Sequence, residues 1–214
     1  MGSERFTYPF CYKPHPDIAE AAARLIGKIK SDKALDELFA PGKMLGILKT
    51  DRGFLYGFSG LAGGKAVIEG FVPPIFDCTK VDIDSHSEEE SQRLQKWLFS
   101  QYKVLNALGQ SRSILDIFAD KGLVPPSGTG ECAGPKMLQE AYLKGMKPLA
   151  MGEFWYGASP EREVRRQGCF YPSCTGKCGP LLEWMLQGLD VEANPLDDDN
   201  LWSSEEPLIR FEDR

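Results

Sequence analysis

The sequence contains no long hydrophobic run. Its 214 residues include no apolar stretch near the roughly 20 residues that a membrane-spanning helix requires. A secretory signal, with a basic start, an apolar segment and a small-residue cleavage site, is absent as well. These absences favour a cytoplasmic protein. In that compartment the six cysteines are better interpreted as metal ligands or reactive thiols than as disulfides.

Histidine is also scarce, and acidic residues outnumber basic ones by 31 to 25. The two histidines, His15 and His86, lie in proline-flanked or polar segments, which gives no support to a Ser-His-Asp hydrolase. The formal net charge of −6 argues against tight nucleic-acid binding by the whole chain, because such affinity depends on Lys and Arg that neutralise phosphates. One local basic group is a candidate RNA-binding surface, with a solvated charged face as the alternative. It consists of Arg162, Arg165, Arg166 and Lys177.

The hydrophobic pattern of the first half predicts helices around a small hairpin. The aromatic, proline-rich segment 6–16 predicts an extended lead-in packed on the surface. Spacings of three and four residues then predict a first helix over 17–39. Two apolar runs flank Gly53 and predict a β-hairpin, and the glycine-rich segment after it, which lacks a GxGxxG or P-loop pattern, is interpreted as a structural turn. A helical insertion is predicted over about 84–122, with its first helix reaching residue 109.

The stretch 125–186 holds four of the six cysteines. A helix that contains Cys132 is predicted to begin near Gly130, a strand to follow at 149–155, and a second helix to begin with Cys174 and Cys178 in its first turn. A helix N-terminus favours a thiolate over a thiol, because its free N–H groups and positive dipole end stabilise negative charge. The order of elements along the whole chain predicts an α/β fold, with helices packed on the faces of a sheet.

These cysteines have the spacing of a candidate zinc site. Cys174 and Cys178 are four residues apart, so a helix places both sulfurs on one face. With Cys132 as a third ligand, the set would leave one coordination position open, and Cys169 is the candidate fourth ligand that would close it. Two alternatives remain open. The cysteines could instead be small residues that pack a crowded turn, or a redox pair.

Glu153 lies within the apolar strand segment EFWYG, so we expect its carboxylate to be partly buried. A buried carboxylate needs a partner or a shifted pKa. We favour a structural pair with an arginine. The alternative is a role as general acid/base, which Glu131, beside Cys132, could also fill.

The two cysteine-bearing helix starts resemble those of the zinc-dependent nucleobase deaminases, whose metal lies between a [HC]-A-E and a P-C-x-x-C helix start. Here Cys132-Ala133-Gly134 stands at the first motif, and PSCTGKC at 172–178 stands at the second. Gly134 takes the place of the family's proton-shuttling glutamate. The second motif has one extra residue on each side of its first cysteine. The resemblance implies a deaminase-like fold with zinc but without deaminase activity.

A second resemblance covers nearly all of the chain. The segments PFCYKPHP, GKMLGIL, SRSILDIF, GTGECAGPKMLQEAYLKGMKPLAMGEFWYG and FYPSCTGKCGPLLEWMLQGL resemble the N-terminal region of long bacterial RluA-type pseudouridine synthases. In those proteins a segment like EPLIRFED, at 206–213 here, leads into the catalytic domain, whose aspartate lies in an HRLD-type motif. This chain contains no such motif. The resemblance implies an accessory domain that acts with a synthase domain.

Together these features predict a deaminase-like α/β accessory domain over residues 1–195 and an acidic linker over 196–214 toward a C-terminal synthase domain. We expect the domain to bind or position ribosomal or transfer RNA within the full-length enzyme, and to lack synthase activity of its own. The alternative is a free-standing zinc-dependent hydrolase that acts on a nucleobase or nucleotide, with Glu131 or Glu153 as general acid/base.

Overall fold

A computed structural model describes residues 5–76, 87–161 and 163–197. The helices in these ranges are α1 (Pro16–Ser31), α2 (Lys33–Phe39), α3 (Glu88–Gln101), α4 (Ile114–Ala119), α5 (Ala133–Leu143) and α6 (Thr175–Met185). The strands are β1 (Lys43–Thr50), β2 (Gly53–Phe58), β3 (Lys103–Leu105), β4 (Ser111–Ser113), β5 (Pro148–Tyr156) and β6 (Phe170–Tyr171). The predicted α/β class is therefore confirmed. None of these helices is long and apolar enough to cross a membrane.

The helices pack on a four-stranded antiparallel sheet, in which the strand order is β2-β1-β5-β6. β1 and β2 form the predicted hairpin, and Gly53 after its turn adopts a φ of 120°. β5 lies antiparallel to β1, with Glu153 opposite Gly46 and Trp155 opposite Met44. β5 is buried along almost its whole length, as its apolar sequence predicts. β6 has only two residues, too few for hydrophobic alternation to reveal it.

Two hydrophobic clusters lie on opposite faces of this sheet. Leu45 and Ile47 of β1 belong to the cluster that contains the apolar face of α1 and the end of α2. Leu48, which points the other way, belongs to the cluster built mainly from α3 to α6. The division follows from strand geometry, because successive side chains point to opposite faces. The cysteine-bearing helices α5 and α6 therefore share one side of the sheet.

Helix α5 lies directly on the hairpin because two paired glycines leave room for it. A Cβ atom added at Gly46 would lie 2.6 Å from Met137 Cε and 2.8 Å from Ala133 Cβ. At Gly57, which pairs with Gly46, an added Cβ would lie 2.9 Å from Met137 Cγ. Non-bonded carbon atoms pack at about 3.5–4.0 Å, so a side chain at either position would push the helix away. The glycines thus set the depth at which Cys132, just before α5, sits on the sheet.

The N-terminal segment belongs to the core, and the prediction of a surface lead-in is wrong for its buried residues. Phe6, Cys11 and Tyr12 are almost fully buried. The backbone of Phe6 bonds to that of residues 190 and 192. The Tyr12 hydroxyl accepts from the Glu153 N–H at 2.9 Å and donates to the Tyr171 carbonyl at 3.0 Å. The segment therefore ties β5 to β6.

Two predicted helices end earlier than their periodicity indicates. The first helix is broken at Asp32, whose extended backbone ends α1 and whose carboxylate caps α2. Helix α3 ends at Gln101, because residues 103–105 pair with 111–113 as a small second sheet. The Gln139 side chain of α5 accepts from the Leu105 N–H at 2.9 Å, so tertiary contact overrides the helical pattern. The predicted start of this insertion, residues 84–86, lies outside the described residues, and the division at residue 195 stays a prediction.

Candidate metal centre

Three cysteines from two helix starts form one cluster. The sulfur atoms of Cys132, Cys174 and Cys178 all lie within 4.8 Å of one another, and those of Cys174 and Cys178 are 3.5 Å apart. Cys132 immediately precedes α5, whereas Cys174 precedes α6 and Cys178 lies in its first turn. The structure thus brings together the three predicted ligands. This cluster could bind a metal ion.

The environment of the two helix starts leaves the cysteine sulfurs available as metal ligands and favours negative charge on Cys174. Neither Cys132 nor Cys174 caps its helix with its side chain. Hydrogen bonds from the other two thiols, together with backbone N–H groups in the first turn of α6, hold the pKa of Cys174 well below its ordinary value. The interactions with Cys174 raise the pKa of Cys132, and those with both neighbouring cysteines raise that of Cys178. One thiolate is therefore shared by two thiols, whose protons a bound cation would displace.

Cys169, the predicted fourth ligand, is not brought to this cluster. Its carbonyl accepts a hydrogen bond from the Trp155 N–H at 3.0 Å, next to the pairing of β5 with β6. The side chain is exposed. Among the described cysteines, histidines and carboxylates, the close group therefore has three members, and a fourth coordination position would be open to a ligand from the adjoining cavity.

Glu153 lies beside the cysteines as a buried carboxylate, only 5% exposed. Its Oε1 accepts from the Gly134 N–H at 3.2 Å, and its Oε2 accepts from the Ser173 hydroxyl at 2.7 Å. Burial raises the pKa of Glu153, although these two hydrogen bonds oppose the shift. No ion pair between Glu153 and an arginine is found among the described residues. Arg165 of the same cavity pairs with Glu163 instead.

Glu131 has a different environment. Its Oε1 accepts from the Tyr102 hydroxyl at 3.0 Å, and it lines a separate cavity between the glycine-rich segment and α3. The structure therefore places Glu153, rather than Glu131, at the cysteine cluster.

The described members of the predicted RNA-binding group do not form one exposed patch. Arg166 and Lys177 are exposed, as a phosphate-binding surface requires. Arg165 instead turns inward, with its guanidinium 4.9 Å from the ring centre of Tyr171 and 5.3 Å from that of Trp155. Arg162 lies outside the described residues.

Lys136 is a residue that the sequence patterns did not reveal. It is 1% exposed, and its Nζ has no hydrogen-bond partner in the part of the chain that the structure describes. The ammonium lies 4.5 Å from the ring centre of Phe58, and burial lowers its pKa. One signal was present: Lys136 stands four residues after Cys132, at the start of a helix whose other early residues are small or apolar.

The cysteine cluster and Glu153 form part of the lining of a cavity of about 300 Å³. Its other walls come from the start of β1, the end of β2 and the loop between β5 and β6. They include Gly42, Lys43, Met44, Ser59, Trp155, Glu163 and Arg165. No protein-family model matches the chain, and no curated protein or solved structure matches it significantly. The chemistry of the site must therefore be inferred from its own geometry.

Proposed function

We propose that this chain is a zinc-binding accessory domain of an RNA pseudouridine synthase, in which it binds or positions the RNA. One observation carries the proposal. The ECAGPK and FYPSCTGKC motifs, on which the resemblance to these synthases depends, lie almost 40 residues apart in sequence, yet their cysteines meet in one cluster. This convergence supports a shared function for the two motifs. The uridine isomerisation itself belongs to a catalytic domain with the HRLD-type motif.

Zinc is the metal that best fits this cluster. Three thiolates are typical zinc ligands, and tetrahedral Zn–S bonds of about 2.3 Å place sulfurs roughly 3.8 Å apart. The observed separations of 3.5 Å for one pair and at most 4.8 Å for the others bracket that value. Hard cations such as Mg²⁺ and Ca²⁺ prefer oxygen ligands. Cys132, Cys174 and Cys178 would hold the ion, which joins the starts of α5 and α6.

The experiment measures zinc and RNA in separate assays. Protein purified without chelator should contain about one zinc per chain, and unfractionated tRNA or rRNA hairpin transcripts should bind with an affinity that falls as salt increases. The double variant R166E/K177E changes only exposed charges and should weaken RNA binding while zinc content stays unchanged. The matched control K33E/K121E reverses two charges elsewhere on the surface. Equal loss in both double variants would show only a general charge effect, and unchanged binding in R166E/K177E would remove this surface from the proposal.

A second function, a zinc-dependent hydrolase acting on a nucleobase or nucleotide, is favoured by the position of Glu153. In the deaminase motif the proton-shuttling glutamate would stand at residue 134. A Cβ atom at Gly134 would lie 3.8 Å from Glu153 Oε1, so strand β5 supplies a carboxylate next to the place where the helix lacks one. A bound zinc ion would supply Lewis-acid activation of water. Glu153, with its raised pKa, is suited to hold and release a proton there.

Deamination assays separate this second function from the first. Zinc-loaded protein should be tested on free bases, nucleosides, nucleotides and short single strands. If the hydrolase proposal holds, E153Q abolishes turnover but keeps its zinc, whereas E131Q remains active because Glu131 lines another cavity. Stoichiometric zinc with no turnover on any of these substrates favours the accessory domain.

A further inference from the structure

Arg165 is held rigidly in the wall of the cavity beside the cysteines. Its guanidinium contacts the faces of Trp155 and Tyr171, and its Nε and Nη2 donate to Glu163 Oε2 at 3.0 and 2.9 Å. The side chain is only 12% exposed. An arginine normally loses side-chain conformational entropy when it binds a ligand. Here the side chain is already ordered in the folded protein, so ligand binding causes little further loss.

The remaining terminal nitrogen of Arg165, Nη1, lies beside another residue of the cavity wall. Nη1 has Met44 Sδ as a weak neighbour at 4.0 Å, and Met44 is itself part of the cavity wall. A thioether sulfur is a poor acceptor, so the N–H groups of Nη1 are available for a stronger one. The guanidinium is thus oriented by its stacked and paired parts, while one edge stays open to a ligand.

Lys43 supplies a second cation to the same cavity. It begins β1, next to Met44, and its Nζ donates to the Leu61 carbonyl at 2.6 Å, which anchors the long side chain. An ammonium group has three donors, so this bond leaves further donors for a ligand. Partial burial lowers the pKa of Lys43, and an anionic ligand would oppose that shift.

The floor of the cavity has the opposite character. The cysteine sulfurs and the Glu153 carboxylate would repel an anion. Trp155, on which Arg165 stacks, is two residues along β5 from Glu153, a distance of roughly 7 Å on one face of the strand. A ligand that spans this distance needs an anionic group near Arg165 and Lys43 and an uncharged polar part near the floor. The cavity volume of about 300 Å³ is at the small end for ligand sites, so the ligand is small.

We propose that Lys43 and Arg165 bind the phosphate of a single nucleotide unit, whose base lies against the cysteine and Glu153 floor. Phosphate is the anion that suits an oriented guanidinium edge combined with a lysine point charge. The unit can be a free nucleotide or one nucleotide of an RNA strand. The identity of the base rests on the proposed function, whereas the phosphate site rests on the two cations and the cavity.

Titration calorimetry with uridine, uridine 5′-monophosphate, inorganic phosphate and a uridine trinucleotide tests this proposal on the full chain purified without chelator. The monophosphate should bind at least about tenfold more tightly than uridine, because two charge-assisted contacts form only with phosphate. K43M and R165Q should each remove most of that difference. K33Q changes an exposed lysine of α2 that does not line the cavity and should keep the difference.

If the site takes free nucleotides, uridine 5′-monophosphate binds more tightly than uridine. If the site takes one nucleotide of an RNA strand, only the trinucleotide binds more tightly than uridine. Equal affinity for phosphorylated and unphosphorylated ligands, or no binding of any of them, overturns the proposal. Thermal denaturation of each variant shows whether it is folded. If R165Q is unfolded, K43M decides alone, and retention of the phosphate preference in K43M refutes the site. Zinc content and binding of longer RNA are measured separately, so either proposal can fail without the other.

Discussion

Glu153 Oε1 accepts a hydrogen bond from the backbone N–H of Gly134 at 3.2 Å, and this bond joins the middle of β5 to the first turn of α5. The helix start therefore directs an N–H group, with its partial positive charge, toward a buried carboxylate. A Cβ atom added at Gly134 would lie 3.8 Å from the same carboxylate oxygen, which is an ordinary van der Waals contact. The hydrogen bond orients Glu153 beside the cysteines, so strand, helix and candidate metal centre are positioned together.

Replacing Glu153 with Gln should stabilise the chain at neutral pH. The pKa of Glu153 is raised above its ordinary value of 4.5, so the folded state holds the proton more tightly than the unfolded state. The contribution of protonated Glu153 to the stability of the folded state is fully present below pH 4.5. It is lost as pH rises through the folded-state pKa. Urea denaturation with chelator present should show E153Q more stable than the wild type at pH 7, with the difference shrinking toward pH 4.5. A difference that does not vary with pH would contradict the assigned burial effect.

Replacing Lys136 with Met should also stabilise the chain, by about 1 kcal/mol at pH 7, because it removes a buried ammonium without a described acceptor. Burial lowers the pKa of Lys136 below 10.5, so the unfolded state binds more protons, and wild-type stability rises with pH up to the unfolded value. The advantage of K136M should therefore narrow as pH approaches 10.5. K177M, at an exposed lysine, is the control and should change little. A loss of stability in K136M at pH 7 would contradict this prediction and show that the contact of the ammonium with the Phe58 ring outweighs the cost of its burial.

The cysteines should differ sharply in their effect on zinc. C132S, C174S and C178S should each lose most of the bound zinc, and their melting temperature should no longer fall when a strong chelator is added. C169S should keep both zinc and the response to chelator, because its exposed thiol is not brought to the cluster. Metal analysis and thermal denaturation measure the two effects. Zinc loss in C169S alone would instead assign the site elsewhere.

Two glycine variants test whether the close packing of α5 against the sheet depends on Gly46. G46A should destabilise the chain by about 1–3 kcal/mol, because the added methyl group meets Met137 and Ala133 at less than 3 Å. G27A, in α1, meets no atom within 4 Å and should stabilise the chain by about 0.5–1 kcal/mol through helix propensity. Chemical denaturation of both variants provides the measurement. If G46A also weakens zinc binding, the depth of α5 controls the position of Cys132.

The features that local patterns encode were predictable from the sequence. Helical periodicity predicts α5 and α6. It also places Cys132, Cys174 and Cys178 at or near the starts of these helices. The mixed α/β class and the hairpin followed from the same patterns. These signals depend on residues at most a few positions apart, so one sequence is enough to read them.

The remaining features depend on contacts between distant residues. The side-chain partners of Glu153 are 19 and 20 residues away, one in α5 and the other in the loop before α6, so no spacing rule could identify them. Lys136 was missed because lysine is usually exposed, and its burial results from the close approach of α5 to the sheet. Strand β3 was assigned to a helix because its apolar residues continue the helical spacing, and only its pairing with β4 shows otherwise.

The contacts of the N-terminal segment also govern how this protein can be made. Phe6 and Tyr12 are synthesised well before their hydrogen-bond partners at residues 153, 171, 190 and 192. The edge formed by β5 and β6 therefore cannot be completed until nearly all the described chain has been translated. Such long-range closure is slow compared with local folding. The apolar residues of the N-terminal segment therefore stay without their native partners until residues 190 and 192 have been synthesised.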